Sequence, residues 1–283
     1  MSLAAVQDRV SNFLNSNEPQ IISLSGKWGA GKTFLWFKMY EAARKNKKLN
    51  YPNYSYISLF GVNGLSELKI QIGANLKKNT NSDEDLENIR NQSESLFYKT
   101  KAKAESLLSG FSLSYGGVSI EVANLLNGLS YYGLGEAVIC FDDIERRGKE
   151  LNLVDILGVA SQLKQEKKCK VILIFNTDEF DQKDKDIWNR YHEKVIDYEI
   201  SLELTSTEAT NIAFDNTDKI TNIVRECSNK LELQNIRLLK KILRYSMEFA
   251  SFLEENGCGG DVVESGIKSL VLFMACRYGQ GTV

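Results

Sequence analysis

The stretch IISLSGKWGAGKTFLWF, residues 21–37, consists of an apolar run, a glycine-rich loop and a second segment rich in large apolar residues. Its centre, GKWGAGKT, matches the pattern G-x-x-x-x-G-K-[ST] at Gly26, Gly31, Lys32 and Thr33. Glycines let the backbone bend so that its N–H groups face phosphate oxygens, and a helix beginning near Thr33 directs its positive dipole end at the same anion. The order strand, loop, helix therefore predicts a phosphate-binding loop.

The alternative is a strand-to-helix turn whose glycines match the pattern by chance. Average residue frequencies place that chance at about 1% of chains of this length, and the position between an apolar strand and a helix lowers it further. Lys32 is expected to reach β- and γ-phosphates, and the Thr33 hydroxyl to bind Mg²⁺. Trp28 has two interpretations, packing under the loop or shielding bound phosphate. The residues expected to contact the nucleotide are Gly26, Lys27, Trp28, Gly29, Ala30, Gly31, Lys32, Thr33 and Phe34.

Two acids follow an apolar run in AVICFDDIERR, residues 137–147. The carboxyl ends of parallel strands gather at the sheet edge where ligands bind, so Asp142 is expected beside the phosphate loop, where it can hold Mg²⁺. Asp143 is the candidate that polarises the attacking water, and Glu145, two residues further on, is a weaker one. The alternative is a solvated turn before a helix.

A third polar strand end occurs in KVILIFNTDEF, residues 170–180. The Asn176 amide is a candidate to hydrogen-bond the γ-phosphate or the attacking water. The alternative is a helix cap, because Asn, Thr and Asp are also the residues that begin helices.

Arginine commonly stabilises the charge that develops on a transferred phosphoryl group. Three arginines are candidates for this role, and each has an ordinary surface role as its alternative: Arg146, Arg190 and Arg237.

Composition excludes several classes of protein. The 283 residues carry a net charge of −2, so no overall basic field indicates a nucleic-acid or anionic-membrane partner. The longest apolar runs are far shorter than the about 20 residues of a membrane span. Five scattered cysteines and one histidine, His192, support neither a zinc site nor a disulfide framework, and Cys140 is expected to be buried. These features favour a cytoplasmic protein.

Strand and helix patterns alternate along the first two thirds of the chain, which favours a parallel sheet covered by helices. We predict a core over 1–205 with an insertion at about 61–136, and a helical lid or subdomain over 206–283. The insertion is expected to contain a charged helix at 85–109 and a hairpin at 111–122. The predicted strands are 20–25, 54–60, 137–141, 170–175 and 194–200. The predicted helices are 3–15, 33–47, 66–78, 151–166, 180–192, 207–216, 218–229, 235–255 and 262–278.

The motifs SLSGKWGAGKT, YISLFGVNGLSELK, AVICFDDIERR, VILIFNTDEF and NIRLLKKIL, in this order, resemble the KAP family of bacterial P-loop NTPases, a branch near the AAA+ and STAND ATPases. The resemblance spans roughly residues 20–250. It departs from the family in having no transmembrane helices between the motifs and no proline in NIRLLKKIL. It implies a three-layer α/β sandwich with five strands, mainly parallel, in the order 5-1-4-3-2, and a role in defence against phage. It also implies roles for matching residues: Lys32 and Thr33 as Walker A, Asp142 and Asp143 as Walker B, Asn176 as first sensor, and Arg237 as second sensor.

Two functional hypotheses follow. The first is an ATPase that depends on Mg²⁺ and acts as a conformational switch or motor. The second is a nucleotide-gated scaffold that binds ATP or ADP, hydrolyses it negligibly and changes its oligomeric state. Either one implies a protein partner or a homo-oligomer. Neither membrane nor nucleic acid is indicated, since the basic clusters at 44–48 and 164–170 are typical of solvated helix ends.

Overall fold

The computed structural model describes residues 1–79, 131 and 133–279. The predicted helix at 85–109 and hairpin at 111–122 lie outside these residues. The chain forms two compact units. The first, here called the sheet unit, contains Gln7–Ser25 and Thr33–Ile200. The second, the helical unit, contains Met1–Val6, Gly26–Lys32 and Ser201–Val283.

A mostly parallel sheet organises the sheet unit, in the order β3-β2-β4-β5-β1-β6. Neighbours β2, β4, β5 and β1 pair in parallel, and β3 runs antiparallel to β2. Every residue of β4 and β5 is buried, as expected for central strands covered by helices on both faces. The strands are β1 Ile21–Ser25, β2 Asn53–Ser58, β3 Lys77–Lys78, β4 Ala137–Asp142, β5 Lys170–Phe175 and β6 Tyr198–Ser201.

The prediction of five strands in the order 5-1-4-3-2 is wrong, because the sheet formed by the described residues has six strands and begins with one that was not predicted. The helix predicted over 66–78 ends at Ala74, and Lys77–Lys78 then pairs with Asn53 and Tyr54 at the edge of the sheet. At the other edge, residues 194 and 195 finish a helix, so the last strand begins at Tyr198 rather than at 194. The remaining strands lie in the order β2-β4-β5-β1-β6.

Helices with apolar residues at helical spacing cover the sheet within the sheet unit. Other helices of the same kind build the helical unit. Their ends follow capping chemistry: the Thr205 hydroxyl accepts from the Glu208 amide, and the Glu208 carboxylate accepts from the Thr205 amide. The helices are α1 Leu3–Asn15, α2 Lys32–Lys45, α3 Leu65–Ala74, α4 Leu153–Gln165, α5 Gln182–Val195, α6 Ser206–Ala213, α7 Lys219–Lys230, α8 Ile236–Glu255 and α9 Gly260–Tyr278. None of those described is both long and apolar enough to cross a bilayer.

The core of the sheet unit lies between β4, β5 and the helices that cover them. Phe175 at the end of β5 stacks on Phe180 and meets the edge of Trp188 from α5. Cys140 is buried in β4, which confirms the expectation for that thiol. This packing fixes the carboxyl end of β5, which Asn176 follows.

Candidate functional site

The phosphate loop, Gly26–Lys32, folds back on the start of α8 within the helical unit. Gly29 and Gly31 have φ values of +80° and +81°, a region that favours glycine. A Cβ added at Gly29 would overlap the Asn235 side chain, and one added at Gly31 would lie 2.7 Å from Ile236 Cδ1. The Ile236 amide donates to the Gly29 carbonyl at 2.9 Å. Both glycines are therefore required by backbone shape and by close packing.

The Lys32 side chain is buried inside its own loop. Its Nζ donates to the Gly26 carbonyl at 2.6 Å and to the Lys27 carbonyl at 3.1 Å. Two carbonyl oxygens thus hold the Lys32 ammonium at the centre of the loop. This ammonium supplies the positive charge that a phosphate group requires there.

Trp28 projects from the loop and is 59% exposed. The Arg237 guanidinium lies 5.5 Å from the centroid of its ring, at cation–π distance. Packing under the loop, one of the two interpretations of Trp28, therefore does not occur. Phe34, on the first turn of α2, is also exposed.

Asp142, at the end of β4, accepts three hydrogen bonds although it is only 3% exposed. Its Oδ2 accepts from the Thr33 hydroxyl at 2.7 Å and from the Tyr56 hydroxyl at 2.9 Å, and its Oδ1 accepts from the Asp143 amide at 2.8 Å. Burial, together with the negative charge of Asp143, raises the pKa of Asp142 to about 6. The structure brings Thr33 and Asp142 into direct contact.

Asp143 begins a short turn and has a left-handed backbone, with φ of 54°. Its Oδ2 accepts from the Ser58 hydroxyl at 2.8 Å, and its Oδ1 lies 3.7 Å from Arg146 Nη1. Arg146 in turn covers the Phe60 ring at 3.9 Å from the centroid. Glu145 is half-buried in the same turn. Asp143 is thus oriented by a hydroxyl and a guanidinium from its own surroundings.

Asn176 is buried at the end of β5, and its Oδ1 accepts from the Asp178 amide at 3.1 Å. This contact begins the short helix Thr177–Glu179, so the cap interpretation describes what this oxygen does. The sensor role stays a prediction. Arg190 lies exposed on α5, and Arg237 is the candidate arginine that contacts the phosphate loop.

Tyr56 and Ser58 were not predicted from the sequence as site residues. They lie two positions apart on β2, so their side chains share one face of the sheet, and each hydroxyl donates to one of the two acids. Parallel pairing of β2 with β4 places Ser58 opposite Asp142. Alternate hydroxyl residues at the carboxyl end of a strand are the signal that could have identified them.

The residues present fit both Mg²⁺ and a phosphate chain. Mg²⁺ prefers oxygen ligands and is commonly bound by one or two protein groups together with water and phosphate, so the Thr33 hydroxyl and the Asp142 carboxylate suffice. No group of three or more His, Cys, Asp or Glu that could hold a metal occurs among the described residues. The glycine conformations of the loop are those needed for close approach of backbone amides to an anion.

Comparisons with known proteins agree with a P-loop NTPase. A family model of the NB-ARC domain, which is a P-loop NTPase of the AAA+/STAND type, matches residues 4–109. None of the curated proteins compared with the chain matches it.

Three solved structures are similar. Cdc6p from Pyrobaculum aerophilum has a TM-score of 0.47 and 17% identity, and the match covers 90% of this chain and 62% of that one. ORC1 of Aeropyrum pernix in complex with DNA has a TM-score of 0.44 and 14% identity, and the match covers 87% of this chain and 60% of that one. The replication initiator DnaA bound to AMPPCP and single-stranded DNA has a TM-score of 0.41 and 14% identity, and the match covers 89% of this chain and 63% of that one. The chain thus spans less than two thirds of the length of these structures, and by family model it is similar to the NB-ARC domain.

Proposed function

We propose that the protein binds ATP with Mg²⁺ at the phosphate loop and hydrolyses it. The observation that carries this proposal is the hydrogen bond between Thr33 and Asp142, because it joins the last residue of the loop motif to the acid that ends β4. A glycine turn that matched the motif by chance would not need this buried acid as a partner.

Lys32 supplies the positive charge for the phosphate chain. Its ammonium donates hydrogen bonds to the Gly26 and Lys27 carbonyls, which are neutral acceptors. Phosphate oxygens would compete with them for the ammonium, because charged acceptors form stronger hydrogen bonds. Exchange of carbonyl for phosphate contacts requires only that the side chain reorient within the loop.

Thr33 and Asp142 are arranged to hold the metal. The Thr33 hydroxyl donates its proton to Asp142 Oδ2, which leaves the lone pairs of its oxygen for a cation. When bound, Mg²⁺ neutralises charge on the β- and γ-phosphate oxygens. The Tyr56 hydroxyl keeps the same carboxylate oriented by a second donated proton.

Asp143 is the proposed base. Its Oδ2 is fixed by Ser58, so Oδ1 is the oxygen that would take a proton from the attacking water. Oδ1 faces Arg146 at 3.7 Å, so the oxygen that would take the proton already has a guanidinium beside it. This contact favours a second candidate, a nucleotide-gated scaffold in which hydrolysis is slow.

A binding and turnover experiment separates these candidates. Calorimetry with ATP, ADP and GTP, in the presence and absence of Mg²⁺, is combined with phosphate release and solution mass. We expect Lys32→Ala to lose ATP binding and Asp143→Asn to bind ATP without turnover, while Lys38→Ala, an exposed lysine on α2, serves as the matched control. Normal ATP binding by Lys32→Ala contradicts the proposed site. Negligible turnover of the wild type with an ATP-dependent change in mass identifies the scaffold.

Assignment to the KAP type and a role in bacterial phage defence are part of the proposal and rest on the sequence motifs. Roles for Asn176 and Arg237 as sensors, and for Arg146 and Arg190 in stabilising the charge on the transferred phosphoryl group, belong to it as well. Substitution of each by alanine, with ATP affinity and turnover measured separately, tests them.

A further inference from the structure

Trp28 and Arg237 are far apart in the sequence, but their side chains leave the backbone on either side of one hydrogen bond. This bond joins the Ile236 amide to the Gly29 carbonyl at 2.9 Å. Trp28 is the residue before the glycine, and Arg237 is the residue after the isoleucine. The Asn235 side chain, at the start of α8, packs so closely on the same glycine that a Cβ there would overlap it. Contacts of the adjacent residues therefore fix the backbone at both positions.

The two side chains meet outside the phosphate loop. The Arg237 guanidinium lies over the Trp28 ring, 5.5 Å from its centroid, and the ring remains 59% exposed. A cation is attracted to the face of an aromatic ring within about 6 Å, and tryptophan is the best partner for it. Guanidinium is planar and carries its N–H groups around its rim, so an arginine held over a ring can still donate hydrogen bonds to an anion.

The loop thus has one cation inside it and one outside. Lys32 Nζ lies within the loop, on the carbonyls of Gly26 and Lys27, whereas the Arg237 side chain is exposed beside it. In a loop of this motif the backbone amides surround the α- and β-phosphates, and the lysine reaches the β- and γ-phosphates. A second cation outside the loop would add a contact for the terminal phosphate, which ATP has and ADP lacks.

We propose that Trp28 is a positioning residue for Arg237, whose guanidinium it holds beside the phosphate loop so that the site prefers ATP to ADP. The inference deepens the proposed function and rests on it, because ATP must bind at the loop for Arg237 to contact it. An arginine without the ring has more rotamers to lose when it binds phosphate, and that loss lowers affinity. The other interpretation, in which the indole shields phosphate by itself, requires no arginine.

Tryptophan fluorescence tests the contact without nucleotide. Trp36 is fully buried and Trp188 is only 8% exposed, so acrylamide quenches Trp28 preferentially. Arg237→Gln uncovers one face of the ring and is expected to raise the quenching constant. Arg244→Gln, the same change two turns later on α8, is the matched control and should leave the constant at the wild-type value. Equal quenching of the wild type and Arg237→Gln would overturn the proposal.

Calorimetry with ATP and with ADP, each with Mg²⁺, tests what the contact does. The strength of an exposed cation–π contact corresponds to about a two- to fivefold change in affinity. We expect Trp28→Leu to weaken ATP binding by about this factor and to leave ADP binding unchanged, while Trp28→Phe, which keeps a ring, retains most of the ATP affinity. Tyr245→Leu removes another exposed ring that lies 5.0 Å from an arginine of α8, and should change neither affinity.

A double variant separates positioning from shielding. If Trp28 acts through Arg237, Trp28→Leu causes no further loss of ATP affinity in an Arg237→Gln background. Losses that add in the double variant, or equal weakening of ATP and ADP binding by Trp28→Leu, would overturn the proposal. Both side chains are exposed, so circular dichroism should show every variant folded.

The outcomes for this inference and for the proposed function are distinct. A wild-type protein that binds no ATP would overturn the proposed function and this inference with it. ATP binding by the wild type that Trp28→Leu leaves unchanged would overturn this inference alone.

Discussion

Replacing Tyr56 by phenylalanine removes one of the hydroxyl donors that solvate the buried Asp142 carboxylate. At pH 8, above its pKa of about 6, this carboxylate is ionised. A hydrogen bond to a charged group contributes about 1.5–3 kcal/mol, against about 0.5–1.5 kcal/mol between neutral groups. We therefore expect Tyr56→Phe to lower the free energy of unfolding by about 1.5–3 kcal/mol in the wild type, but only by about 0.5–1.5 kcal/mol in an Asp142→Asn background.

A double-mutant cycle measured by urea denaturation at pH 8 isolates this difference, a coupling of about 1 kcal/mol between Tyr56 and Asp142. Tyr54→Phe is the matched control, because Tyr54 is also buried on β2 but its hydroxyl accepts from Trp36 Nε1. Its cycle with Asp142→Asn should give no significant coupling. A Tyr56 coupling below about 0.5 kcal/mol, within the range of additive changes, would refute the view that Tyr56 holds this acid.

Three further predictions concern stability and are measured by denaturation. Gly29→Ala should lower the free energy of unfolding by about 1–3 kcal/mol, because alanine is strained at φ +80° and displaces the side chain that caps α8. Burial lowers the pKa of Lys170 to about 8, so as the pH rises the folded protein loses this proton before the unfolded chain does. The free energy of unfolding of the wild type, relative to that of Lys170→Met, should therefore rise from pH 8 to 10 and stay constant below pH 7. Asp184→Asn leaves Arg147 without its buried ionic partner and should lower the free energy of unfolding by about 3 kcal/mol. An unchanged free energy of unfolding would show that the pair is dispensable.

Local sequence signals identified the features on which the proposed site depends. The loop glycines and the apolar runs before Asp142 and Asn176 are short-range patterns, and strand ends that follow such runs fall at one sheet edge whenever the strands are parallel. The leading helix was placed correctly for the same reason, since its apolar residues recur at helical spacing from Leu3.

Features that depend on neighbours in space could not be read in this way. Strand β3 has only two residues, both lysines, and is specified by its pairing with β2 rather than by its own propensity. The roles of Tyr56 and Ser58 depend on β2 lying beside β4, because neither residue has a motif. For Asn176, the cap and the sensor use the same residue type, so sequence alone cannot separate them.

The hydrogen bond from the Ile236 amide to the Gly29 carbonyl has a consequence for how the loop can be observed. Amides in the first turn of a helix have no partner within the helix and normally exchange rapidly with solvent. Here one of them is protected by a carbonyl of the phosphate loop, more than two hundred residues earlier in the chain. Deuterium uptake at this single amide therefore reports on the loop conformation. Uptake is slow while Gly29 keeps its conformation and becomes fast when Gly29 leaves that conformation.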